Sequence, residues 1–217
     1  MSSSASDALV GTPDPGTSVL IAGPAMTGKR ELLYELLAGD RGADRGTAIV
    51  TTRKLAATIR SEYGGHHPDL PDERNFVIDC VSRQHGRDRD GDERTRYVSH
   101  PGDLTEIGIR LTGFMQRLHG DPAVTGAGIG LHTLSTTLMY ADLSRVFQFV
   151  HVLTGRIESS GFVGAFVLDT PTAGNAEAIL SGAFDAKLEV READDESGTR
   201  QVRGRGTDIA PRRWTPF

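Results

Sequence analysis

The sequence predicts an α/β fold, with a mainly parallel central sheet covered by helices on both faces and a C-terminal hairpin. Three observations predict it. Short, near-continuous apolar runs recur along the chain, without the in-out alternation of a sheet that has one wet face. Amphipathic stretches of helical period separate these runs. The first run, Ser18-Val19-Leu20-Ile21-Ala22, passes directly into Gly23-Pro24-Ala25-Met26-Thr27-Gly28-Lys29-Arg30-Glu31 and then into Leu32-Leu33-Tyr34. Strand, glycine loop and helix without a gap is the order of a phosphate-binding loop.

Each element follows from its own signal. Strand one covers 18–22 and helix one 29–38. After a polar turn at 39–46, Thr47-Ala48-Ile49-Val50-Thr51-Thr52 reads as strand two. A helix over 53–63 has Leu55, Ile59 and Tyr63 on one face and ends at Gly64-Gly65, with His66-His67 in the following loop. Strand three covers 76–81, and 83–96 is a charged excursion. Asp103 with Glu106 three residues on is a capping box that opens a helix with Ile107, Leu111, Phe114, Met115 and Leu118 buried. Strand four covers 128–135, a long helix 140–159, strand five 162–169 and a short helix 175–184. Segments 187–190 and 200–203 form the terminal hairpin. The expected division is a disordered tail over 1–17, a nucleotide-binding core over 18–190, and a hairpin and tail over 191–217.

The glycine loop has a physical case for anions. Gly23 and Gly28 can take backbone angles closed to other residues, which lets successive N–H groups converge into a nest. The helix behind them adds unpaired amides and a positive dipole end. Lys29 supplies a mobile ammonium, and lysine is scarce, occurring elsewhere only at Lys54 and Lys187. Residues 23–31 are therefore the expected nucleotide-binding segment. Position 30 departs from the pattern: a Ser or Thr hydroxyl that would hold Mg²⁺ is replaced by Arg30. A guanidinium there can pair with phosphate oxygens in place of the cation.

Composition narrows the function classes. The chain has 217 residues and a formal net charge of -5, and its basic residues alternate with acids, as in Arg87-Asp88-Arg89-Asp90. Nucleic acid is an unlikely partner on that balance. Cys80 is the only cysteine, so there is no intramolecular disulfide and no cysteine-based metal centre is expected. No apolar stretch reaches membrane-spanning length, and residues 1–17 lack the basic start and apolar run of a signal peptide. A cytoplasmic protein is the expectation.

A second segment points to a family. Leu131-His132-Thr133-Leu134-Ser135, followed by the helix carrying Val146, Phe147 and Val150, resembles the KaiC branch of RecA-like ATPases. Segments 77–84 and 97–104 and the ending Arg213-Trp214-Thr215-Pro216-Phe217 resemble uncharacterised haloarchaeal relatives of KaiC and GvpD. The resemblance implies a RecA-like three-layer P-loop fold with strand order 5-1-4-3-2, ATP or ADP at the loop, and ring or filament assembly with sister subunits or a regulatory partner.

Against that pattern two further positions are altered. The Walker-B-like aspartate that ends strand four corresponds to His132, with Thr133 beside it. The glutamate expected after strand three is absent, since Ser82-Arg83-Gln84-His85-Gly86 follows Val81. Weak catalytic candidates remain in His132, the side chain that titrates nearest neutrality, and Asp79, an acid on an inner strand. No metal ligand is assigned, and any role for Mg is open. The expectation is a regulatory protein that binds ATP or ADP and hydrolyses it weakly or not at all. The alternatives are an ATPase completed by another subunit and a nucleotide-free interaction module.

Overall fold

The computed structural model describes residues 10–39, 44–86, 91–170, 174–193 and 198–217. Among them nine strands form one sheet: β1 (Ser18–Gly23), β2 (Arg45–Thr51), β3 (Asn75–Asp79), β4 (Thr95–Tyr97), β5 (Gly126–His132), β6 (Val163–Asp169), β7 (Ala186–Glu192), β8 (Arg200–Arg205) and β9 (Thr215–Pro216). The helices are α1 (Lys29–Ala38), α2 (Ala56–His66), α3 (Leu104–Gly120), α4 (Leu134–Leu138), α5 (Leu143–Ser160) and α6 (Ala176–Ser181).

The strands lie in the order β4-β3-β2-β5-β6-β1-β7-β8-β9. β1 through β7 run parallel, and β8 and β9 return antiparallel. The expected order 5-1-4-3-2 is corrected here. Strand five (β6) lies between strands one (β1) and four (β5), because α5 returns the chain in one crossover to the position beside β5, and strand two (β2), not strand three (β3), lies on the other side of strand four. The expected charged excursion also contains structure. Thr95–Tyr97 pairs in parallel with β3 as an edge strand, with Thr95 buried; residues 87–90 lie outside the described set.

Alternation along each strand builds two cores. On one face Leu20, Ala48, Val50, Ile78, Ile129 and Phe166 pack under α3 and α5. On the other, Val19, Ile21, Ile49, Val77 and Val167 pack under α1 and α2. Burial of both faces explains the unbroken apolar runs. Gly128 admits α1 closely, since a Cβ there would stand 2.7 Å from the Leu37 carbonyl oxygen.

Helix boundaries moved modestly. α2 runs through Gly64-Gly65 to His66, because Ile59 and Tyr63 anchor it to the core and outweigh the glycine entropy penalty. His67 is buried, its Nε2 lying 3.2 Å from the Tyr34 carbonyl oxygen. The capping box holds, with the Asp103 carboxylate accepting from the Glu106 amide at 3.0 Å. Strand four ends at His132, and the following residues turn into α4, capped by Thr133.

Of the segment expected as a tail, residues 10–17 are hydrogen-bonded to the domain: the Gly11 amide donates to Ile209 and the Gly16 amide to Phe162. Residues 1–9 lie outside the described set. At the other end the guanidinium groups of Arg191 and Arg203 lie over the Trp214 ring, at 4.4 and 4.3 Å from its centroid. Those contacts hold segment 213–217 against the hairpin.

Candidate nucleotide site

The carboxyl ends of β1, β2, β5 and β6 converge on one edge of the sheet, where parallel α/β folds bind ligands. Gly23 ends β1, and only glycine fits there, since a Cβ would stand 2.2 Å from the Val190 carbonyl oxygen of β7. The loop then crests at Met26, which has φ 66° and is exposed. It re-enters through Thr27, whose hydroxyl donates to the Pro24 carbonyl at 2.8 Å. Gly28 caps α1 at φ 83°, left-handed geometry that suits glycine.

A cavity of about 530 Å³ opens above this loop. It is lined by residues 25–31 together with Arg53, Lys54, His132, Val167, Asp169 and Arg200. Ala25, Met26, Thr27, Gly28, Lys29, Arg30 and Glu31 thus share one concavity with His132. Gly23 and Pro24 support it from below through their carbonyls, while Thr133 and Asp79 do not line it.

Lys29 is buried, and its ammonium donates to the carbonyls of Gly23, at 2.9 Å, and Pro24. It also pairs with Asp169 Oδ1 at 3.0 Å. Burial draws its proton affinity below the ordinary lysine value; Asp169 opposes that shift and Arg53 adds to it. Arg53 reaches the other Asp169 oxygen at 3.6 Å. Beside them Arg30 Nε lies 3.0 Å from Glu62 Oε2, and Lys54 binds Glu62 Oε1 at 2.5 Å. Burial pushes the Glu62 carboxyl up, but Lys54, Arg30 and Tyr34 together hold it below its usual range.

His132 ends β5 with Nδ1 buried and without a hydrogen-bond partner. Its pKa is lowered to about 4, first by burial and then by the positive charge of Arg30. At neutral pH the ring is uncharged. Thr133 is structural: its hydroxyl donates to the Val167 carbonyl at 2.8 Å, and its amide donates to Thr52 Oγ1 at 2.8 Å. Asp79 is spent on the loop after β3. Its carboxylate accepts from the amides of Ala56, Val81 and Ser82 and from the Ser82 hydroxyl, each at 2.8 Å.

Sequence reasoning missed Arg53, Lys54, Glu62 and Arg200 as members of this neighbourhood. The signal for the first two was present, since a basic pair directly after a parallel strand falls on the ligand edge. Arg200 had no such signal, because an antiparallel return from β7 brings it there.

A model described as a family of unknown function, DUF7504, matches residues 16–190. The chain belongs to this family. The DUF7504 match takes in the loop, Arg53, Lys54, His132 and Asp169; Arg200 and segment 213–217 lie beyond it. No curated protein matches the sequence. Among solved structures, a KaiC-like protein from the hyperthermophilic archaeon Pyrococcus horikoshii superposes with a TM-score of 0.64 at 15% identity, covering 98% of this chain and 89% of that one. The fold of this DUF7504 member is therefore RecA-like. No helix among the described residues is long and apolar enough to cross a membrane.

Proposed function

We propose that this protein binds ATP or ADP in the cavity above residues 23–31 and uses occupancy as a regulatory signal, with weak or absent hydrolysis. The observation that carries the reading is Lys29, buried at the start of α1 beneath a cavity of about 530 Å³ and in contact with two carbonyls of its own loop. Phosphate oxygens arriving over the α1 amides compete for that ammonium and draw it from Asp169.

Hydrolysis asks for more than binding. Phosphoryl transfer depends on a positioned water and on neutralising charge at the transferred group. Of the acids near the loop, Glu62 is held by Arg30 and Lys54, Asp79 by backbone amides, and Glu31 lies 4.0 Å from Arg200. His132 is neutral at pH 7. Occupancy then acts by population shift, because the state in which Lys29 leaves Asp169 is favoured by ligand. A sister subunit or a regulatory partner that reads the end of β6 would sense it.

The test is calorimetric titration of purified protein with ATP and ADP, beside phosphate release measured against Lys29→Ala. Binding lost in the variant, with phosphate release at the buffer rate in both proteins, is the expected result. Lys29-dependent turnover would replace this reading with a working ATPase, and no heat with either nucleotide would replace it with an interaction module.

A further inference from the structure

Resting on the nucleotide reading above, we infer that the site takes a nucleoside triphosphate without a divalent cation. Arg30 stands where a metal-binding hydroxyl would, and Arg53 reads the terminal phosphate.

The donor set does not fit magnesium. That ion demands a near-octahedral shell of oxygens and binds through hydroxyls, carboxylates and water. The position that would supply the hydroxyl carries a guanidinium, and the end of β5 carries an imidazole. Glu62 is already paired with Arg30 and Lys54. Among the described residues no group of three or more histidine, cysteine or acidic side chains is arranged to hold a metal.

The charge lining the cavity makes the same point. Lys29, Arg30, Arg53, Lys54 and Arg200 face it against Glu31 and Asp169, five cations to two acids. A further dication in that space is repelled at short range, whereas a bare triphosphate, more negative than its magnesium complex, is the complementary ligand. Arginine suits this role because its planar fork donates two parallel hydrogen bonds to one phosphate and keeps its charge at any working pH.

The contacts also give the cavity two ends. Arg200 lies near Glu31 Oε1, at 4.0 Å, and its side chain approaches Gly28. Arg53 and Lys54 follow β2 on the opposite side, where Arg53 meets Asp169. Lys29 stands between them. A polyphosphate laid over the loop from the Arg200 end reaches Arg53 last. Arg53 is more than half exposed and has Asp169 as its ion-pair partner, so it is free to swing onto an incoming anion. Glu62 is a positioning residue that holds Arg30 and Lys54 at the rim.

The experiment is isothermal titration of the full chain with ATP and with ADP, each in excess MgCl₂ and in excess EDTA. It covers the wild type, Arg30→Ser, Arg53→Gln and Arg53→Lys, with thermal melts to check folding. The expected wild-type Kd for ATP differs by less than about threefold between magnesium and EDTA. Arg30→Ser weakens binding in EDTA by about tenfold, the loss of one charge-assisted phosphate contact. Arg53→Gln lowers ATP affinity about tenfold while changing ADP less than about twofold, and Arg53→Lys restores part of the difference. Heat with magnesium but none in EDTA overturns the inference and leaves the nucleotide reading standing. An unchanged ATP-to-ADP ratio in Arg53→Gln overturns the assignment of the terminal phosphate. Silence in every condition overturns both.

Discussion

Protonation of His132 should set the acid limit of this fold. The ring is half-buried at the end of β5 and its Nδ1 has no hydrogen-bond partner, so protonation places a charge near Arg30, Arg53 and Lys54 that Asp169 offsets only in part. Its pKa falls from 6.5 to about 4 on folding. A depressed folded-state value means that the unfolded chain binds the proton more readily. The stability tied to the neutral ring is therefore intact above pH 6.5 and is lost progressively as pH falls toward 4. Linkage across this shift gives a loss of about 2 kcal/mol between pH 7.5 and pH 5, rising to about 3 kcal/mol below pH 4. Urea unfolding at pH 7.5, 6.5, 5.5 and 5.0 measures it, with His132→Gln as the comparison because glutamine keeps most of the volume and cannot charge. The variant should show a pH dependence flatter by about 2 kcal/mol over that range. Parallel curves for the two proteins would refute the reasoning, since the acid sensitivity would then belong to other groups.

Three more outcomes follow from the packing. At a ligand concentration about a hundred times Kd, ATP should stabilise the wild type by roughly 2.7 kcal/mol, a melting shift of roughly 5–10 °C that Lys29→Ala abolishes in a thermal scan. Gly23→Ala should destabilise by about 1–3 kcal/mol in urea titration, because a Cβ 2.2 Å from the Val190 oxygen forces β1 and β7 apart; a neutral result would mean that the strands relax freely. Trp214→Ala, which removes the ring that Arg191 and Arg203 pack against, should cost about 1–2 kcal/mol and raise amide exchange across β9.

The layered fold was legible because burial on both faces leaves a plain mark: runs such as 18–22 and 163–168 contain no polar alternation. The loop was legible because its glycines serve the backbone and Lys29 sits at a fixed offset from them. Strand order was not. Local apolar pattern says that β6 is buried but not which strand it lies beside, and that is decided by the crossover through α5. Nor did the pattern at 83–96 reveal β4, three residues whose pairing comes from the edge of β3. Arg200 reaches the loop through an antiparallel return of the chain, and such distant meetings leave no periodicity to read.

Arg30 and His132 line the same cavity, and their charges are coupled. The positive charge of Arg30 is among the influences that hold the His132 ring neutral, so protonating the ring and keeping the guanidinium at the mouth oppose each other. Glu62, 3.0 Å from Arg30 Nε, already offsets part of that charge on the protein side. An anion in the cavity would offset it from the other side, and the acid sensitivity assigned to His132 should therefore weaken when the cavity is filled.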